Sequence, residues 1–226
     1  ERKLIMYYYS IMILSGIIKK FLETVQNLLV PEDAKIQKLL NLPRGKMREL
    51  LPSSPVYSRD IFVLFDYQNK MVRTLVKAIK YKNNAGLRKR IAGILYEEIL
   101  DIASEAALFD GAPPLLLPMP MSKLEKRKRG FNQCEELVRE IKKIAGDNIE
   151  ISYNTLEKIR ETERQTNLSR EERQENVKNS MQAAPYPRGG TPRTIIVLDD
   201  VYTTGASLSE ARRALKNAGF YITRIG

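Results

Sequence analysis

The chain has no histidine and a single cysteine among its 226 residues. One thiol cannot build an internal disulfide framework, and without partners it cannot build a multi-cysteine zinc site. Any general base must therefore be a carboxylate, a lysine, a tyrosine or the substrate itself. One cysteine also fits the reducing cytoplasm, the expected compartment. Neither GxxxxGK[ST] nor GxGxxG occurs, so ATP-type phosphate loops and dinucleotide folds lose support. No internal repeat is present. Acids are missing altogether between Lys70 and Tyr96, where Lys70, Arg73, Lys77, Lys80, Lys82, Arg88, Lys89 and Arg90 are basic. That stretch reads as a solvated helical face or as a surface facing phosphates. The nearby aromatics are only Tyr67, Tyr81 and Tyr96, too thin a set to support stacking of single-stranded bases.

What is present can bury a core. Hydrophobic residues make up 43% of the chain, enough for one domain or one domain with an appendage. The net charge of +11 implies an anionic partner: a phosphate-rich substrate, nucleic acid or a membrane surface. Residues 4–18, LIMYYYSIMILSGII, are nearly all apolar between Arg2-Lys3 and Lys19-Lys20. They fall short of the roughly 20 residues a membrane helix needs. A helix packed on the domain or on a partner is preferred over membrane association or an artefact of the gene start. Residues 33–51 read as a further helical piece, and 52–55 as a linker. This sets a helical N-terminal region over 1–55 and a main domain over 56–226. Both chain ends look trimmed, the last residues, YITRIG, just beginning to read as a strand.

The rest of the chain is arranged around residues 194–207, TIIVLDDVYTTGAS. Ile195 to Leu198 read as a strand buried on both faces of a parallel sheet. Asp199 and Asp200 follow at its carboxyl end, then Thr203-Thr204-Gly205-Ala206-Ser207. A helix begins at once, with Ser207 and Glu210 at capping-box spacing and an apolar stripe of Leu208, Ala211, Leu215 and Ala218 ended by Gly219. Ligands of open α/β sheets bind beyond the carboxyl strand ends, and a helix start suits a phosphate. Gly205 allows close approach of the backbone, and the hydroxyls add donors. The two carboxylates would repel that phosphate, so they should face sugar hydroxyls. A phosphorylated ribose meets both demands, against the blander reading of a polar turn and a well-capped helix.

Other segments fall in with this plan. Residues 61–66, IFVLFD, read as a strand and 71–81 as a helix. A short buried strand over 115–119 leads to a basic loop carrying Lys123, Lys126, Arg127, Lys128 and Arg129, then to a helix over 132–144. Guanidinium forks match phosphate oxygens, so the loop is either a grip for pyrophosphate or a solvated charge run. The stripe Cys134, Leu137, Val138, Ile141 and Ala145 makes Cys134 a small core residue rather than a nucleophile. After a strand over 149–153, residues 156–181 are polar and charge-rich. They read as a lid or binding loop containing a helix from Ser169, whose Glu172 completes a capping-box pattern.

The strand, the two acids and the TTG-type loop resemble the phosphoribosyl-pyrophosphate (PRPP) motif of the type I phosphoribosyltransferases. Together with Pro118-x-Pro120, with Arg129-Gly130-Phe131-Asn132-Gln133, and with Arg160, Thr162, Gln165, Leu168, Arg173 and Asn176, the pattern is similar to the ComF family. That family is phosphoribosyltransferase-like and associated with DNA uptake in competent bacteria. The resemblance implies an α/β fold, a type I phosphoribosyltransferase-like parallel sheet flanked by helices, with a helical N-terminal extension and a mobile loop over the site. It implies a Mg²⁺-dependent phosphoribosyltransferase that releases pyrophosphate as a nucleophile, usually nitrogen, attacks the ribose. Asp199 and Asp200 would contact the ribose, and Thr203, Thr204, Gly205, Ala206 and Ser207 the 5′-phosphate. Arg127, Arg129, Asn132 and Gln133 would lie at pyrophosphate, and Arg160, Thr162, Gln165 and Arg173 on the mobile loop. Asp199, Asp200 and Arg160 are the candidate catalytic residues, and Mg²⁺ would be held mainly by substrate oxygens, with no protein metal site. The competing implication is a PRPP-, nucleotide- or DNA-binding protein acting through partners, among them single-stranded DNA, DNA-processing proteins or a second copy of the chain. Two departures stand out. Residues 29–51 contain no cysteine or histidine where many ComF relatives carry a four-cysteine zinc module. A Lys-Tyr-x-Gly-Asp signature appears as Lys80-Tyr81-Lys82-Asn83-Asn84.

Overall fold

The structure, a computed structural model, describes residues 32–43, 45–54, 57–58, 61–106, 112–162, 169–187 and 193–220. The apolar segment 4–18, Gln165 and the terminal YITRIG lie outside the described residues. The chain divides into two units, Glu1–Leu42 and Pro43–Gly226. In the first, α1 (Glu32–Asn41) carries Ile36 and Leu39, spaced three apart on one buried stripe. Among the described residues no helix is long and apolar enough to cross a membrane.

The second unit opens with α2 (Lys46–Leu50), then β1 (Tyr57–Ser58) and β2 (Ile61–Phe62), which pair antiparallel. The strand expected over 61–66 is thus cut to its first two residues, with Phe65 forming an isolated bridge to Ser53. Asp66 explains the early end. Its carboxylate accepts the Gln68 N–H at 2.8 Å and its carbonyl the Asn69 N–H at 3.1 Å, turning the chain into the next helix. That helix, α3 (Lys70–Lys82), is capped by Asn69, whose side chain accepts from Met71 and Val72, and ends on Asn83 in the left-handed region at φ 47°. Its buried face is Val72, Leu75, Ala78 and Ile79, so the acid-free stretch opens on a helix that turns one side to the core and carries Arg73 and Lys77 exposed on the other. The long helix α4 (Ala85–Ala106) follows.

The core sheet is parallel. The central strand β3 (Leu115–Pro118) leads through α5 (Lys123–Arg129) and α6 (Gln133–Ala145) to the edge strand β4 (Glu150–Ile151). On the other side β3 pairs with β7 (Ile195–Leu198), Leu115 opposite Ile195 and Pro118 opposite Leu198. The order is β4–β3–β7. All four residues of β3 and of β7 are buried, as continuous apolar runs predict for a sheet covered on both faces. Leu115, Leu117, Ile195 and Val197 join a core with Leu208, Ala211, Ala214 and Leu215 of α8 (Ala206–Asn217). Each such side chain contributes about 1.5–3 kcal/mol by leaving water. Cys134, 1% exposed, lies in the same core, as its stripe predicts, and burial with the nearby acids pushes its thiol well above the usual range.

Two segments differ from the sequence reading. The basic run 123–129 is helical rather than a loop: Ser122 accepts the Glu125 N–H at 3.2 Å, and Gly130 ends the helix at φ 87°. The polar excursion 156–181 begins and ends in sheet, because β5 (Leu156–Lys158) pairs antiparallel with β6 (Met181–Ala183). Leu156, Met181 and Ala183 supply just enough apolar surface to dock that hairpin on the core. Between them α7 (Arg170–Val177) starts at Ser169 with the expected capping box to Glu172.

Candidate functional site

The sheet delivers three chain segments to one end. Strand β7 stops at Asp199, β3 runs into the α5–α6 junction, and the last turn of α3 brings Lys80. Asp200 is the meeting point. Its Oδ2 lies 2.9 Å from the Lys80 ammonium and accepts from the Gln133 amide at 2.7 Å. The Gln133 carbonyl oxygen accepts from Arg129 at 2.5 Å, and the Arg129 guanidinium stands 5.4 Å over the Tyr81 ring. A closed ring of contacts therefore runs Lys80, Asp200, Gln133, Arg129, Tyr81 and back along α3. Burial pushes the Lys80 ammonium down, but the charge of and hydrogen bond to Asp200 outweigh it and hold its pKa above the ordinary value.

Asp199 is half-buried beside this ring. It accepts the Asp200 backbone N–H at 2.8 Å. Burial first, and then repulsion from Asp200, push its carboxyl up from 3.8 to about 7, against the pull of Lys80 and Lys158. The adjacent acids are thus differentiated: one is ion-paired, the other holds a proton close to neutral pH. That is a pair able to accept a proton without a histidine.

Beyond the acids, Gly205 adopts φ 74° and serves as the N-cap of α8. The turn is tight. A side chain added at Gly205 would place Cβ 3.1 Å from the Tyr202 ring. The Thr204 hydroxyl accepts the Ala206 N–H at 3.4 Å, and Ser207 and Leu208 complete the first turn of α8. The capping box expected from Ser207 and Glu210 does not form. Glu210, 4% exposed, instead accepts the Met181 N–H at 3.0 Å and both the Nε and Nη2 of Arg213 at 2.8 Å, clamping β6 to α8. A glycine that can turn left-handed starts the helix, leaving the glutamate for a tertiary contact.

The remaining sequence-predicted residues are divided. Asn132 is buried, caps α6 at the Cys134 N–H and donates to the Met119 carbonyl at 3.0 Å, so it anchors the junction. Arg127 is exposed on α5. Arg160 donates to the carbonyls of Asn176 and Lys178 at 2.9 and 2.8 Å, closing the end of α7 rather than reaching toward Asp200. Thr162 accepts from Lys158 at 2.7 Å, and Arg173 is half-buried on α7. The excursion and the basic helix do meet, but through Glu161. Its carboxylate accepts from the Ser122 hydroxyl at 2.6 Å and the Leu124 N–H at 3.3 Å, at the start of α5. Sequence reasoning missed Lys80, Tyr202 and Glu161. Only Lys80 carried a signal, as the first residue of the altered Lys-Tyr signature.

A cavity of about 470 Å³ adjoins the acids in the second unit. Phe65, Val72, Leu75, Ile79, Leu95 and Tyr202 give it an apolar wall, and it ends on Asp199 and Asp200. Among the described residues no group of three or more acids, histidines or cysteines could hold a metal ion.

A parallel sheet flanked by helices, with two acids and a tight glycine loop leading from its edge strand into a helix, is an α/β arrangement consistent with a phosphoribosyltransferase-like fold. No family model matches the chain. Curated proteins do. Competence protein F of Haemophilus influenzae is 25% identical over 162 residues, covering 72% of this chain and 69% of that protein. The DNA utilization protein YhgH of Salmonella typhi is 26% identical over 179 residues, covering 79% and 74%. Competence protein ComFC of Streptococcus pneumoniae is 27% identical over 158 residues, covering 69% and 61%. The chain is thus similar to these competence and DNA utilization proteins over most of its length.

Proposed function

We propose that the chain binds PRPP with Mg²⁺ and transfers phosphoribose to a nitrogen nucleophile, releasing pyrophosphate. The observation that carries this reading is the Asp199–Asp200 pair at the end of β7, set directly before the Gly205 turn and α8. Asp200 and Asp199 would orient the ribose hydroxyls, and the 203–207 loop would bind the 5′-phosphate. On this reading Arg129 and Gln133, joined to each other and through Gln133 to Asp200, would receive the departing pyrophosphate and meet its developing negative charge with a guanidinium. Mg²⁺ fits this site only as a partner of the substrate's oxygens, since the two acids are one ion-paired and one protonated near neutral pH. When bound, it supplies charge neutralisation of the departing pyrophosphate. Above about pH 7, where it has given up its own proton, the Asp199 carboxylate is suited to take one from the attacking nitrogen. The cavity that ends on the acids gives an acceptor with an apolar body a route to the ribose. Measuring pyrophosphate release from Mg·PRPP across ammonia, amides, nucleobases and aromatic amines tests the reaction. Release stimulated by one acceptor class and lost in Asp199→Asn supports it; no release with any acceptor rejects turnover.

A second reading has its own support. The relatives are named for competence and DNA utilization, and α5 presents Lys123, Lys126, Arg127 and Lys128 exposed. On this reading the protein acts in DNA uptake through a DNA contact. Single-stranded DNA affinity falling steeply with salt, and reduced by Arg127→Ala/Lys128→Ala, favours it; affinity indifferent to those changes counts against it.

A further inference from the structure

The Oδ2 of Asp200 is fully engaged. An ionised carboxylate oxygen accepts along two lone-pair directions. Both are taken, one by Lys80 at 2.9 Å and one by Gln133 at 2.7 Å. A ribose hydroxyl cannot bond to that oxygen until one donor leaves. Gln133 is buried and tied to Arg129, whereas Lys80 is 25% exposed at its side chain and reaches in from the end of a separate helix. Lys80 is therefore the donor free to move. Its position is also electrostatically crowded. Arg129 bonds the same glutamine, and its charge opposes the Lys80 ammonium. Lys80 thus pairs with Asp200 directly while Arg129 stands one residue away through Gln133, with the neighbouring Asp199 holding a proton up to about 7. The cluster has an excess of positive charge that one aspartate balances only in part, and a multiply charged anion would balance it fully.

We propose that Lys80 is an exchangeable counter-ion: in the ligand-free protein it neutralises Asp200, and on binding PRPP its ammonium moves to the pyrophosphate and releases Asp200 to the ribose. This rests on the PRPP reading given above, and adds a coupling within it. The pyrophosphate end of the ligand frees the ribose end, so a sugar phosphate without pyrophosphate meets an Asp200 whose Oδ2 is still held by Lys80.

Calorimetry of the full chain with three probes tests it: Mg·PRPP, inorganic Mg·pyrophosphate and ribose 5-phosphate. In Lys80→Met, affinity for PRPP and pyrophosphate should fall about 10- to 100-fold, the worth of one charge-assisted hydrogen bond. Ribose 5-phosphate should bind equally well or more tightly, because its competitor for Asp200 is gone. Lys80→Arg should keep PRPP binding within a few-fold. Removing the ammonium leaves Asp200 without its cation, so Lys80→Met/Asp200→Asn serves as the charge-matched control, and its pyrophosphate affinity must fall as well. Equal losses for pyrophosphate and ribose 5-phosphate, or no change with any probe, would overturn the exchange while leaving PRPP binding by the wild type intact. A wild type that binds none of the three would reject the PRPP reading itself, and the exchange with it.

Discussion

Replacing Asp199 by asparagine should stabilise the ligand-free protein above neutral pH. The carboxyl holds its proton up to about 7 when folded, against an ordinary value of 3.8, because burial and Asp200 disfavour its charge. The folded state then binds more protons than the unfolded chain across that interval. Stability contributed by this group therefore falls as pH rises from about 4 towards 7, and the loss is complete above 7. At about 1.4 kcal/mol per pH unit the ceiling is about 4 kcal/mol. Asp199 keeps some solvent contact, so about 2 kcal/mol is the working figure. Asparagine retains an oxygen for the Asp200 N–H now accepted at 2.8 Å, which preserves the turn. Urea unfolding at pH 4 and pH 8 reads the effect. Wild type should lose about 2 kcal/mol more than Asp199→Asn between the two conditions, and the variant should melt about 4–8 °C higher at pH 8. Parallel pH dependences for the two proteins would refute the claim that Asp199 is held protonated.

Two other changes probe how the site is supported. Glu210→Ala should destabilise by about 1–3 kcal/mol, since it strips the Met181 N–H of its acceptor and leaves the partly exposed Arg213 without its carboxylate. Burial raises the Glu210 pKa less than Arg213 and the Met181 N–H lower it, so its contribution is present at neutral pH and lost in acid; in Glu210→Gln the acid limb of stability should flatten, as pH-dependent urea midpoints would report. Gly205→Ala should cost about 1–2 kcal/mol for a β-carbon at φ 74°, and adding Tyr202→Ala should recover only the part due to the 3.1 Å approach, measured by thermal melting.

Much of this arrangement was legible because local periodicity and burial agree. The unbroken run Ile195 to Leu198 could only be a doubly covered strand, and the stripe through Cys134 and Ile141 could only face a core. Prediction failed where a residue serves a distant partner. Glu210 has capping spacing to Ser207, but its carboxylate turns to Met181 of β6, which local spacing does not reveal. The run KLEKRKR reads as a loop by polarity, although Ser122 and Glu125 carry the helix-start spacing that its fold uses. Residues 156–183 hide a hairpin because three apolar side chains, too few to set a period, hold it. The acids and glycine loop were found from their order along one strand. Lys80 was not singled out as a site residue, because its pairing with Asp200 joins helix α3 to the sheet edge and exists only once both are packed.

The central claim, that this strand end is built for a phosphoribosyl pyrophosphate, is met most directly by titrating Mg·PRPP into the wild type and into Asp199→Asn/Asp200→Asn by calorimetry. Saturable binding by the wild type, lost in the double variant while it still unfolds cooperatively, is the predicted result. No heat above background with the wild type, or equal binding by the two proteins, would contradict it.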